Sequence, residues 1–123
     1  MIEEKFLRHF FVVHTFVSEE ARKEYLTPPE KRNPPQKQWT EKNWAEDSIG
    51  DFAQCMQTWV GNDDFLYCHW MADSEDDVYR QLDEWELEGK VVSSKVNEIF
   101  QFVTAYRASE TLIREYPAND GRW

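Results

Sequence analysis

Apolar and polar positions alternate through four stretches of the chain and follow helical spacing in others. Phe6–Val17 (FLRHFFVVHTFV) is rich in β-branched and aromatic residues and predicts a first strand. Ser18-Glu19-Glu20-Ala21 reads as a helix start, with Ser18 as cap and acids in the first turn. That helix should end near Leu26, because Thr27-Pro28-Pro29 follows. Residues 27–35 hold Pro28, Pro29, Pro34 and Pro35 and predict a stiff connection. Asn33-Pro34 fits a second helix start, and the helix would run on through Gln36–Asp47. In that segment Trp39 and Trp44, about 140° apart around a helix axis, read as packing anchors.

Phe52–Val60 and Phe65–Ala72 predict two strands joined at Gly61-Asn62-Asp63-Asp64, hence a hairpin. Ser74 caps a further helix with Val78, Leu82 and Trp85 on its apolar side, and Gly89 is expected to end it. Asn97–Arg107 (NEIFQFVTAYR) predicts the fourth strand, and Ser109–Tyr116 one or two helical turns. The order strand-helix-strand, strand-helix-strand predicts one α+β domain over residues 1–123. Its ferredoxin-like β-α-β-β-α-β topology implies a four-stranded antiparallel sheet of order 4-1-3-2, with the helices on one face.

Alternation then divides each strand into two faces. The more aliphatic sets, including Phe11, Val13 and Thr15 in strand 1 and Leu66, Cys68 and Trp70 in strand 3, are expected to meet the helices. The aromatic sets, with Phe10, His14, Tyr67, His69, Phe102 and Tyr106, are left on the helix-free face. So large an apolar face predicts a homodimer with two sheets facing each other and a ligand site between them.

The residues from Cys55 to Ile99 carry a pattern, W-V-x-N-D-D-x-x-Y-C-x-W-x-A-x-S-E, at Trp59 through Glu75. It resembles a family of small ferredoxin-like proteins that includes nickel-binding members, within the dimeric α/β-barrel superfamily. The resemblance implies a dimeric α/β barrel that binds a small ligand or a transition metal such as nickel. The superfamily also implies two alternatives: a cofactor-free monooxygenase or isomerase acting on a small apolar or aromatic compound, and an interaction module with no pocket. No metal ligand of that family maps residue by residue onto this chain.

Composition narrows the partners. The 123 residues carry a formal charge of −10, which opposes nucleic acid and anionic membranes. No apolar run approaches the ~20 residues of a membrane span. The acidic start Met1-Ile2-Glu3-Glu4-Lys5 is unlike a signal peptide, so a cytoplasmic location is expected. Aromatic residues reach 15% of the chain, which suits a bulky core, an interface or a ligand wall.

His14 and His69 share a predicted face on neighbouring strands and form the candidate metal or general-base pair. The other reading is two histidines hydrogen-bonded within a dimer interface. Tyr67, Tyr106 and Gln54 are candidate ligand contacts. His9 points away from His14 and reads as structural or exposed. A tight hairpin places Cys55 opposite Trp70 and diagonal to Cys68, about 7–8 Å away, too far for an unstrained disulfide. Both cysteines are read as buried free thiols. The acidic run Asp73–Asp77 lacks the glycine and ligand alternation of a calcium loop.

Overall fold

The structure is a computed structural model and describes residues 6–110, 112 and 113. Four strands, β1 (Arg8–Phe16), β2 (Ala53–Val60), β3 (Phe65–Ala72) and β4 (Val92–Ile99), form one antiparallel sheet. The order is β2-β3-β1-β4, so β1 and β3 are central and β2 and β4 are edges. Written from the β4 edge, the same arrangement is 4-1-3-2. Three helices, α1 (Glu19–Leu26), α2 (Glu41–Asp47) and α3 (Glu75–Glu84), accompany the sheet. No helix among the described residues is long and apolar enough to cross a membrane.

Local chemistry accounts for the helix starts. The hydroxyls of Ser18, Thr40 and Ser74 accept from the amides of Ala21, Asn43 and Asp77 at 3.0, 3.0 and 3.1 Å. Acidic side chains fill the first turns of α1 and α3, where the helix dipole favours them. The expected helix from Asn33-Pro34 is not formed. Pro29–Lys31 makes one 3₁₀ turn instead, and α2 begins only after its Thr40 cap, so Trp39 lies outside it. α3 ends before Gly89. Glu86 makes the reversal with a left-handed φ of 59°, and the Leu87 amide donates to Leu82 O at 2.9 Å.

Phe10, Val12 and Phe16 of β1 join Leu66, Cys68, Trp70, Val92 and Val96 in the core. Val78 and Leu82 of α3 pack into that core, and Tyr25, Leu26 and Trp44 lie against it. All three helices therefore cover one face, which we call the inner face. The expected faces hold for β3 and invert for β1. Val12 pairs with Cys68 and His14 with Leu66, whereas Phe11 pairs with His69. Both faces of β1 are apolar, so hydrophobicity alone does not choose between them.

The fourth strand is also displaced. It starts at Val92 and stops at Ile99, so Phe102 and Tyr106 lie beyond the sheet. An edge strand paired with β1 along its backbone needs only Val92 and Val96 inward, and its outward positions Ser93, Lys95 and Asn97 stay polar. After β4 the chain passes over the outer face, bringing Phe102 to 6.5 Å from His69 between ring centroids. The turns expected over Ser109–Tyr116 lie largely outside the described residues.

Candidate functional site

A cavity of about 1050 Å³ lies on the inner face, between the sheet and the layer made by α1, the proline-rich segment and α2. Aromatic rings wall it: Tyr25, Trp39, Trp44, Trp70 and Trp85. Trp70 and Trp85 are in tilted contact, with centroids 5.7 Å apart. The Trp70 indole N–H is buried and has no acceptor. The proline-rich connection positions this wall. Arg32 ties it down by donating to Thr27 O at 3.0 Å and to Tyr25 O at 3.2 Å.

The floor of the cavity is chemically distinct. It includes His14 from β1, Cys55 and Thr58 from β2, and Cys68 from β3. A bulge between Cys55 and Gln57 makes this grouping possible. Cys55 stays paired with Trp70, and Thr58 pairs with Cys68, so both residues of β2 face inward although three positions apart. The Cys68 sulfur lies 3.3 Å from Thr58 Oγ1. Cys55 and His14 each lie diagonal to Cys68 on the two strands that flank β3, and all three line the same floor. His14 Nδ1 is 2.7 Å from Ser94 Oγ, which fixes the ring.

Ser94 is itself held at two further points: its amide donates to Glu88 Oε2 at 3.0 Å, and its carbonyl accepts from Tyr79 OH at 3.1 Å. The neighbouring Cys68, and then burial, push the Cys55 thiol well above its usual range. Cys68 is held below that range by its neighbour Cys55, with His14 and Thr58 adding to the effect against burial. Both cysteines are free.

The outer face carries a second cluster. His9 Nδ1 is 2.9 Å from His69 Nε2, and Gln57 Nε2 is 3.3 Å from His69 Nδ1. If Gln57 donates, His69 accepts at Nδ1 and donates from Nε2 to His9 (a neutral ring). Burial, and then the charge of His9, lower the His69 pKa to about 4.

The residues expected to form one site are thus divided. His14 lies in the inner cavity and His69 on the outer face, so they do not make a ligand pair. Tyr67 shares the outer face with His69, and Gln54 is buried there opposite Met71. Tyr106 is fully exposed beyond the sheet. His9, read as structural or exposed, is instead the buried partner of His69. Among the described residues no group of three or more His, Cys, Asp or Glu side chains could hold a metal ion. Cys68, Thr58 and Ser94 were not legible as a unit, because the bulge breaks the alternation of β2 and Ser94 lies upstream of the expected fourth strand. No family model, curated protein or solved structure matches this chain.

Proposed function

We propose that this protein binds a small, planar, largely apolar molecule in the inner cavity, within a ferredoxin-like domain. The observation that carries the reading is the aromatic wall. A volume of about 1050 Å³ is at the upper end of small-molecule sites. Rings of Tyr25, Trp39, Trp44, Trp70 and Trp85 supply flat apolar surface. Trp39 is half exposed at this wall, which suits a residue that a ligand would cover. Metal binding through His14 and His69, and a shared histidine base between two sheets, are not part of this reading, because the two rings occupy opposite faces.

The test is a titration with 1-aminoanthracene, a neutral planar fluorophore, followed by energy transfer from tryptophan. Saturable one-to-one binding is expected. It should be lost in Trp44→Ala and kept in Trp59→Ala, whose ring is on the outer face. Binding that fails in the wild type, or that depends on Trp59, would place no ligand in this cavity.

A second reading rests on the outer face. Phe11 stacks with Tyr67 at 6.2 Å and makes a tilted contact with Trp59 at 6.1 Å, and Phe65 stacks with Tyr67 at 6.5 Å. Trp59 and Phe65 remain 46% and 38% exposed. A chain of charge −10 repels its own copy except across an uncharged surface of this kind. We infer that two copies pair through it, as in a dimeric α/β barrel. Light scattering should return twice the chain mass for the wild type and a single chain mass for Trp59→Asp.

A further inference from the structure

The sulfur of Cys68 lies 3.3 Å from the Thr58 hydroxyl at the floor of the cavity, and His14 and Cys55 stand diagonal to it on the two flanking strands, facing the same space. His14 is in turn held by Ser94. A thiol beside a base that a third group orients is the arrangement that activates a nucleophile. A thiol that serves only to fill space among apolar side chains has no such partners and is pushed up by burial. Cys68, with the Thr58 hydroxyl at 3.3 Å and His14 on the adjoining strand, is not in such a setting. Ser94 can serve either proton state of the neighbouring ring, because its hydroxyl both donates and accepts.

We propose that Cys68 is a nucleophile that adds to planar conjugated electrophiles, enones or quinones, seated among the tryptophans of the cavity, with His14 carrying the proton. The substrate class rests on the cavity reading given above; the nucleophile does not. In the step, the Cys68 proton passes to His14 and the thiolate forms a C–S bond at the β-carbon. The π electrons of the C=C bond move onto the carbonyl, giving an enolate. The proton on His14 then returns to the α-carbon. The thiol is added across the double bond, and no outside oxidant or reductant is consumed. Tyr25 of α1 lines the same cavity as the two thiols. Around the wall, Glu24, Asp47 and Glu86 are balanced by Lys31, Arg32 and Lys90, so the cavity does not impose one sign on its occupant.

The test treats the folded full chain with N-ethylmaleimide at pH 6 and reads intact mass and peptide maps. One adduct per chain is expected, on Cys68. Cys68→Ser should remain unlabelled although Cys55 is present, and Cys55→Ser should still be labelled at Cys68. His14→Gln should slow labelling roughly tenfold at pH 6 and much less at pH 9, where thiolate forms without help. Labelling only after urea unfolding, equal labelling of both cysteines, or an effect of His14→Gln that is the same at both pH values would overturn the proposal. A bulky aromatic probe, N-(1-pyrenyl)maleimide, separates the two readings. Saturating kinetics that 1-aminoanthracene competes away support the substrate class. Labelling of Cys68 by the small reagent, with no saturation by the large one, keeps the nucleophile and overturns the substrate class.

Discussion

Adding one methyl group at Gly50 should cost more than its size suggests. A Cβ built there overlaps the carboxamide of Gln81, on the buried side of α3. Gln81 is 0% exposed, and its Oε1 accepts from the amides of Phe52 and Ala53 at 2.8 and 3.3 Å, at the entry to β2. Its Nε2 donates to Glu84 Oε2 at 3.0 Å. The φ of Gly50 is outside the left-handed region, so the demand for glycine here comes from close approach and not from backbone conformation. If the amide swings away, it abandons two backbone donors, at about 1–3 kcal/mol for a buried one left unpaired. If it stays, the backbone must shift, at about 1–3 kcal/mol for overpacking. Gly50→Ala should therefore destabilise by about 2–3 kcal/mol, opposite in sign to the ~0.4–1 kcal/mol gain of an unhindered Gly→Ala change. Urea unfolding of Gly50→Ala, Gln81→Ala and the double variant measures this as a cycle. With the carboxamide gone, the added methyl should cost almost nothing, so a coupling of at least about 1.5 kcal/mol is expected. An equal cost of Gly50→Ala in both backgrounds would refute the reasoning.

Acid should weaken the fold through His69. Its folded pKa of about 4 lies below the free value of 6.5, so between these limits the unfolded chain binds a proton that the folded chain refuses. Stability is then full above pH 6.5 and falls as pH drops toward 4, by about 3 kcal/mol in full or about 2 after allowing for solvent contact. Urea midpoints at pH 7 and 4.5 should differ less in His69→Gln than in the wild type, and an unchanged pH dependence would remove His69 as the cause. Glu86→Gly should raise stability by about 0.5–1 kcal/mol by relieving the left-handed backbone at the end of α3, read as a higher melting temperature. Phe10→Ala, at a fully buried core position, should cost about 3–5 kcal/mol in the same denaturation assay.

Much of the fold was legible because local signals agree with one another. Ser18 and Ser74 announce α1 and α3, and the Gly61–Asp64 turn between two β-rich runs announces the hairpin. β4 was missed because VSSKVNEI is polar, whereas the following NEIFQFV looks more strand-like. Pairing to a central strand overrode composition there. β1 shows a different limit. Its two apolar faces are a real property of the strand: Phe10 and Val12 meet the helices, and Phe11 joins the outer aromatic stack. Parity separated those sets but could not orient them, and that one uncertainty misplaced His14. The cavity wall was hidden for another reason. Trp39 and Trp44 were visible as aromatic anchors, yet their meeting with Trp70 and Trp85 depends on the path of the proline-rich segment, which no short-range pattern encodes.

Ser94 gives the site a weak flank. It stands on β4, which has a hydrogen-bonded neighbour on one side only. Edge strands loosen locally at less cost than the strands beside them. Each such opening withdraws the hydroxyl that steadies His14, so the state of the cavity floor is tied to the breathing of the sheet margin. Amide hydrogen exchange along Val92–Ile99 would then be a clock for the site, timing how often the imidazole beside Cys68 loses its support.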